Sequence, residues 1–526
     1  MLSSADALPD DVQALKDIIR AQQELMSLQQ QRIDQLLEQF RLARHRQFGA
    51  SSEKAPGQGE FFNEAEQLTS VLTPEEDEST PVSSPASPSR PRTRGARKPL
   101  PPELPRVLIR HVLPESARRC ACGCALTLIG EEESEQLDVI PARIQVLRHI
   151  RERYACSGCE AAPVLAPLPG QPIPKSNASA GLLAHIAVAK YQDGLPLHRQ
   201  ESILARSGID LPRQTLARWM IRVAELAQPV VNLLWDELLS QPIVHCDETI
   251  VQVLKEPDRP PASHSYMWAL AAGPAQRSVV LFDYHPSRSS EIPKRLLAGF
   301  HGYLMTDGYE GYNAVAAAAG IEHLCCMVHA RRRFRDAQRA QPPGTTGRAD
   351  IALEYFRKLY QIERQLADAD PDTRYRTRQA ESVPLLKKFR AWLDEALSHV
   401  APKGALGEAL QYLHKYWPKL IRYCEDGRLP LDNNRLENAI RPFVIGRKAW
   451  LFSDTPAGAH ASAALYSLIE TAKASGIEPY SYLRHLFAAL PEATTVAQFE
   501  ALLPWNLHPA HITALAARPK RSSSAA

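Results

Sequence analysis

Three acidic residues on segments of different kinds constrain this chain most: Asp247, Asp307 and Glu437. Asp247 closes the alternating run Pro242-Ile-Val-His-Cys-Asp247 and is followed by Thr249-Ile-Val-Gln-Val253. Asp307 closes a second apolar run, Tyr303-Leu-Met-Thr-Asp307-Gly308. Alternation and β-branching read both runs as strands. Glu437 lies in Asp432-Asn-Asn-Arg-Leu-Glu437-Asn, at an expected helix start with Asn433 or Asn434 as N-cap. Taken singly, an aspartate after a strand is usually a turn residue. Glu437 and Arg441, four apart, could form an ordinary surface pair. The order in which the three acids occur argues for more. Converging carboxylates supply hard oxygen ligands for Mg²⁺ or Mn²⁺, and two such ions can clamp both oxygens of a phosphodiester displacement. Glu248 and Glu310 are rival acids, but strand alternation should turn Glu248 away from Asp247. Asp432 could orient a metal-bound water or cap the helix.

The segments around these acids fall in a definite order. Ile243 to Leu254, Tyr266 to Ala272 and Val279 to Tyr284 read as an antiparallel meander. A helix at about 290 to 298, the strand ending at Asp307, a helix over 308 to 318 and the strand Ile321 to Met327 follow. This βββαβαβα order is the ribonuclease-H-like topology. Residues 348 to 424 are strongly helical and read as an insertion before the helix of Glu437. The fold class expected is multidomain α+β. A ribonuclease-H-like α/β catalytic core with a helical insertion follows an N-terminal coiled coil, a zinc-ribbon-like module and a helical DNA-binding module. The expected boundaries are 1–54 for the coiled-coil helix, 55–105 for a Pro/Ser-rich and basic linker, 106–170 for the zinc module and 171–240 for the helix-turn-helix-like module. The core spans 241–345 and 429–475 around the insertion at 346–428, and 476–526 forms a C-terminal element with a basic tail.

In the first segment Val12, Leu15, Ile19, Met26, Ile33, Leu36 and Phe40 recur at heptad spacing, with Gln22 and Gln29 in the gaps. The pattern fits a coiled coil that sets a homo-oligomer, or one amphipathic helix packed on its own chain. In the cysteine module, Cys120-Ala-Cys122-Gly-Cys124 precedes Cys156-Ser-Gly-Cys159. Two knuckles around a hairpin turning at Pro141 suit four thiolates on Zn²⁺. Cys120, Cys122, Cys156 and Cys159 are the expected ligands, with Cys124 the alternate. Helices from His198 to Gly208 and from Arg213 to Arg222 suggest a helix-turn-helix that presents Arg213, Gln214 and Arg218 to DNA, or an ordinary helical hairpin. Arg441, Arg447, Lys448 and Trp450 could hold phosphates and stack on a base. Cys326-Met-Val-His329 could be half a zinc site, yet no second pair is near in sequence, which favours a structural or site-shaping role.

The bulk figures exclude little more. The 526 residues are 44% hydrophobic and 23% charged, as in soluble globular proteins. The net charge of +3 does not by itself point to nucleic acid. No apolar run approaches the roughly 20 residues of a membrane span, and no signal peptide is read at Met1-Leu-Ser-Ser-Ala-Asp6. A cytoplasmic, nucleoid-associated chain is expected, with nine cysteines serving as thiols or metal ligands.

Several motifs together resemble the transposases of the insertion sequence 66 family. They are Arg46-Gln-Phe-Gly-Ala-Ser-Ser-Glu-Lys54, the cysteine module through Arg153-Tyr-Ala-Cys156, Asp307-Gly-Tyr-Glu-Gly-Tyr312 and Cys325-Cys-Met-Val-His-Ala-Arg-Arg-Arg-Phe334. Asp432-Asn-Asn-Arg-Leu-Glu437-Asn-Ala-Ile-Arg-Pro442, Gly446-Arg-Lys-Ala-Trp-Leu-Phe452 and Leu465-Tyr-Ser-Leu-Ile-Glu-Thr-Ala-Lys473 continue the likeness. Pro479-Tyr-Ser-Tyr-Leu483 and Leu502-Leu-Pro-Trp-Asn506 resemble its C-terminal element. The resemblance implies a metal-dependent DDE recombinase with Asp247, Asp307 and Glu437 in the acidic positions. Its substrate would be double-stranded DNA, as transposon ends and target, with accessory proteins from the same bacterial element. The chain departs from the family pattern at Arg119, which precedes Cys120, and at Ala449, where asparagine is common. The rival expectations are an inactive, transposase-derived regulator that binds DNA, and a nuclease without strand transfer.

Overall fold

A computed structural model describes residues 12–48, 144–154, 164–317, 320–341 and 346–507. The chain divides into two units, one of Met1–Pro74 with Pro169–Ala526 and one of Glu75–Leu168. In the second unit β1 (Arg153–Tyr154) pairs antiparallel with β2 (Val164–Leu165). Arg151 Nε donates to the Ala166 carbonyl at 2.6 Å beside this pair. The hairpin expected to turn at Pro141 is not seen in its described half. Residues 144–152 carry no strand, and Val146 and Ile150 are 92% and 80% exposed. Alternation yields a strand only when a neighbour takes up its backbone groups; the Glu152 carbonyl, at the end of the stretch, accepts from Ala166 N at 3.0 Å, but no ladder forms before it among the described residues. The linker and Cys120, Cys122, Cys124, Cys156 and Cys159 lie outside the described residues.

The larger unit begins with α1 (Val12–Phe48), one helix of 37 residues. Its heptad residues Val12, Ile19, Met26, Ile33, Leu36 and Phe40 are exposed. A helical layer follows: α2 (Ala180–Tyr191), α3 (Leu197–Arg206), α4 (Arg213–Leu226) and α5 (Gln228–Leu239). Ser179 caps α2 by accepting from Leu182 N, as its sequence suggests. Gly208, at φ +75°, supplies the left-handed turn between α3 and α4.

The main sheet comprises β3 (Ile243–Gln252), β4 (His264–Ala272), β5 (Val279–His285), β6 (Gly302–Thr306) and β7 (Ile321–Cys325). Between β5 and β6 lies α6 (Glu291–Leu296), and between β6 and β7 lies α7 (Asn313–Ala316). The strand order is β5-β4-β3-β6-β7. Hairpin-linked β3, β4 and β5 are antiparallel, and β6 and β7 extend the sheet parallel to β3. The first strand is therefore central, because parallel neighbours need crossovers while antiparallel ones need only turns.

After β7 the chain forms α8 (Met327–Ala340) and then α9 (Arg348–Gln365), α10 (Pro371–Thr377), α11 (Val383–His399) and α12 (Ala405–Ile421). These helices share a core with β6 and β7, in which Phe334, Phe356, Phe389 and Leu413 pack beside Met305 and Leu324. A π-helical turn, Arg378–Ser382, buries Arg378. Its guanidinium donates to Glu363 at 2.9 and 2.7 Å and to the carbonyls of Tyr423 and Asp426 at 2.8 and 3.0 Å.

The chain then returns to the sheet through α13 (Asn434–Trp450) and α14 (Pro456–Ala474), followed by α15 (Pro479–Ala489) and α16 (Val496–Glu500). Helix α14 is buried on nearly all sides and lies along edge strand β5. Its Thr471 hydroxyl accepts from Val280 N at 3.0 Å and donates to Val280 O at 2.8 Å, while Ser467 Oγ accepts from Phe282 N at 2.8 Å. Two hydroxyls thus pair backbone groups that an open edge would leave for another chain. No helix among the described residues is long and apolar enough to cross a membrane.

Candidate active site

The register between two parallel strands brings the aspartates together. Val244 pairs with Leu304 and His245 with Met305. Two residues further along each chain come Asp247 and Asp307, so equal counts place both carboxylates at the same level of adjacent strands. Both are half-buried. Asp247 Oδ1 accepts from Glu248 N at 2.9 Å. Asp307 Oδ1 accepts from Tyr309 N at 2.8 Å, an Asx turn that fixes the carboxylate just past the strand.

The loop after Asp307 is clamped by its neighbours. Thr306 Oγ1 donates to the Asp307 carbonyl at 2.7 Å and meets His323 Nε2 at 2.7 Å. Lys419 Nζ, from α12, contacts His323 Nδ1 at 2.9 Å. Tyr416 Oη, also from α12, donates to Gly308 O at 2.5 Å. A Cβ on Gly308 would lie 2.6 Å from the Tyr412 hydroxyl, so any larger residue would have to displace that ring. The helical insertion therefore packs directly on the Asp307 loop.

Glu437 stands in the first turn of α13 and is buried. The start of that helix is tied to β3 by Asn433, which is fully buried. Asn433 Oδ1 meets His245 Nδ1 at 2.7 Å, and its Nδ2 donates to Cys246 O at 3.5 Å. Asn433 holds the N-cap position without a side-chain cap bond. Asp432 caps instead, its carboxylate accepting from Asn434 N at 3.1 Å and Asn434 Nδ2 at 2.9 Å. The asparagine is drawn inward because buried His245 needs a partner. At the other end of α13, Ser453 N donates to Gln252 O at 2.9 Å, and Leu254 N donates to Ser453 O at 3.0 Å. Both ends of the helix thus register on β3.

Glu437 Oε1 lies 3.9 Å from both His329 Nδ1 and Cys326 Sγ. Glu437 Oε2 is buried and takes no hydrogen bond among the described residues. The acids sense one another. Burial pushes the Asp247 carboxyl well above the usual carboxylate range; Glu248, Asp307 and Glu437 push the same way, and His329 opposes them. Burial works against charge on His329, but Cys326, Glu437 and Asp307 hold its imidazole well above the usual range.

Both rival acids are paired, although Glu248 still lies near enough to raise the Asp247 carboxyl. Glu248 is buried and meets Arg288 Nη2 at 2.5 Å and Tyr312 Oη at 2.5 Å. Glu310 is exposed and paired with Lys415 at 2.6 Å.

The basic candidates divide in the same way. Arg213, Gln214 and Arg218 are exposed on α4, and Lys448 is exposed on α13. Arg441 is half-buried, with Nε and Nη2 lacking partners among the described residues. Arg447 turns inward to Thr249 Oγ1 at 3.2 Å, and burial lowers it to about 10. Trp450 packs edge-on against Phe443, with ring centroids 5.5 Å apart. Sequence reasoning gave Cys326 and His329 a structural or active-site-shaping role but found no further ligand for them. The signal was the C-x-x-H itself; the missing partner, Glu437, is more than a hundred residues away.

Comparison with known proteins gives a consistent picture. Residues 175–461 match the family described as "Transposase IS66 family", and residues 467–505 match the "IS66 C-terminal element". Residues 117–160 match a "zinc-finger binding domain of transposase IS66", and residues 35–109 match "Transposase C of IS166 homeodomain". Among relatives, uncharacterized protein y4jD of Sinorhizobium fredii (strain NBRC 101917 / NGR234) is 35% identical over 420 residues, covering 77% of this chain and 81% of that protein. Uncharacterized protein y4qI of the same organism is 32% identical over 409 residues, covering 75% of each.

Proposed function

The chain belongs to the IS66 transposase family, and we propose that it cuts DNA at insertion-sequence ends and joins those ends to target DNA at a centre of Asp247, Asp307 and Glu437. The observation that supports this reading is the register that sets Asp247 and Asp307 at one level of adjacent strands β3 and β6, with Asp247 responding to the charge of both Asp307 and Glu437. The strand order, three antiparallel strands extended by two parallel ones, supports a ribonuclease-H-like core.

The donor set suits hard divalent ions. It consists of carboxylate oxygens, one of them, Glu437 Oε2, buried and without a hydrogen-bond partner among the described residues. The like charge gathered around Asp247 is what a cation would offset. Asp247, Asp307 and Glu437 would hold Mg²⁺ or Mn²⁺. Such ions, when bound, supply an activated water and charge stabilisation at the leaving oxygen. The chain's own residues supply the geometry. The Asx turn at Asp307 and the Asn433–His245 bond fix the carboxylates before DNA arrives. Arg441 and Lys448, on the helix of Glu437, would hold phosphate oxygens.

End recognition would fall to α4 through Arg213, Gln214 and Arg218. It would be shared with the cysteine module, where the family match supports Zn²⁺ on Cys120 or Cys124, Cys122, Cys156 and Cys159. The exposed heptad residues of α1 support a coiled coil that pairs two copies, and with them two DNA ends. The test is strand transfer by the Glu437→Gln protein on the element's own ends. Cleavage and joining should vanish while end binding persists; wild-type strand transfer would remove Glu437 from the centre.

A further inference from the structure

The reaction proposed above makes no use of Cys326 and His329, yet the fold gives this C-x-x-H pair a third ligand. Cys326 holds the N-cap position of α8, and His329 is three residues on, in its first turn. That spacing puts both side chains on one face of the helix. Cys326 Sγ, a His329 ring nitrogen and a Glu437 oxygen all lie within 4.8 Å of one another. Glu437 Oε1 lies 3.9 Å from Sγ and 3.9 Å from Nδ1. Around a tetrahedral zinc, bond lengths of about 2.0–2.3 Å imply ligand–ligand edges of roughly 3.3–3.5 Å. The two edges from Glu437 Oε1 need to close by only about half an ångström.

We propose that Cys326, His329 and Glu437 form a binding site for a borderline-soft transition ion, zinc foremost, with one coordination position left open. Thiolate with imidazole selects zinc over magnesium, which prefers oxygen ligands throughout. Asn433 N donates to Cys326 Sγ at 3.2 Å, a hydrogen bond directed at the sulfur from the loop that orients Glu437. The sulfur also stands at the positive end of a 14-residue helix, which favours a thiolate against the burial that pushes this thiol up. Glu437 Oε2 is buried without a protein partner among the described residues, so the carboxylate can serve this ion through Oε1 and the aspartate side through Oε2. Three protein ligands with one open position is the arrangement of catalytic zinc sites, where water or a phosphate oxygen fits. The functional consequence rests on the reading of Glu437 given above; the binding of the metal does not.

The test counts zinc by elemental mass spectrometry in the full-length protein and in Cys326→Ser, His329→Gln and Asp307→Asn. The first two variants should each hold one zinc per chain fewer than wild type, and Asp307→Asn should hold as many as wild type. Equal zinc in wild type and in both ligand variants overturns the proposal. Because a buried substitution can unfold the region, cadmium-113 resonance of the wild-type chain provides a second readout. It should show a site with a single sulfur ligand, separate from any signal of the cysteine module. Finding only a four-sulfur signal also overturns the proposal. The zinc count does not depend on DNA cleavage. Inactive protein that keeps the extra zinc would sink the transposase reading alone, and active protein without it would sink this proposal alone.

Discussion

Acid should weaken this protein through His323, by an amount the hydrogen bonds make calculable. Thr306 uses its hydroxyl hydrogen on the Asp307 carbonyl, so its oxygen accepts from His323 Nε2–H. Nδ1 is left as the acceptor for the Lys419 ammonium. Both ring nitrogens are thereby committed to one neutral tautomer. Burial, aided by Lys419 and Arg422, pushes the imidazole down to about 3. In the unfolded chain histidine titrates near 6.5. The unfolded state therefore takes up the proton first, and the stability present above pH 6.5 is lost as pH falls towards 3. At pH 5 the loss from this one group is about 2 kcal/mol, and it barely depends on the folded value so long as that lies well below 5.

The perturbation that isolates it is His323→Gln, which retains a donor and an acceptor but does not titrate. Urea unfolding of wild type and variant, followed by far-ultraviolet circular dichroism at about pH 7.5 and pH 5, measures the stability gap between them. His245, lowered by burial to about 4, changes stability in the same direction; Asp247 and Glu248, raised by burial, change it in the opposite one. All three are common to both proteins and cancel in the difference. The gap should shift by about 2 kcal/mol against wild type on going to pH 5. A gap unchanged to within a few tenths would refute the neutral, doubly bonded histidine and its hold on the Asp307 loop.

Three further outcomes follow from groups buried around the site and the sheet edge. Asn433→Ala strands His245 and the Cys246 carbonyl, so stability should fall by about 1–3 kcal/mol in urea, and DNA cleavage should drop through misplacement of Glu437. Arg378→Ala leaves Glu363 and two carbonyls without their guanidinium; the cost should be about 3–5 kcal/mol, read as faster hydrogen exchange across 348–424. Thr471→Val keeps the shape but abandons both backbone groups of Val280; it should cost about 1–3 kcal/mol and raise self-association measured by light scattering.

The strands and helices near the acids were legible because their patterns are local. Alternation marks β3, the β-branched and aromatic runs mark β4 and β5, and Gly208 marks the turn before α4. The placing of Asp247 and Asp307 on neighbouring strands was also legible, since each closes an apolar run and the order of the strands brings those runs together. What the sequence hid depends on contacts far apart along the chain. Asn433 reads as a helix cap, and only the fold reveals that buried His245 claims its side chain while Asp432 takes over the capping. Cys326 and His329 read as half a site because Glu437 lies on a helix beyond the insertion. Arg447 and Trp450 read as groups for DNA, but Thr249 and Phe443 draw them inward. Residues 144–152 alternate as a strand would, but no strand ladder forms over them among the described residues, and pairing begins only at their end.

The central claim, that three carboxylates make one strand-transfer centre, is tested most directly by a single reaction. Purified full-length protein, Mg²⁺, labelled DNA carrying the element's terminal repeats and a target plasmid are combined, and wild type is compared with Asp307→Asn. The account predicts metal-dependent cleavage and joined product with wild type, and neither with the variant, at unchanged end binding. Joined product at wild-type yield from Asp307→Asn would contradict it.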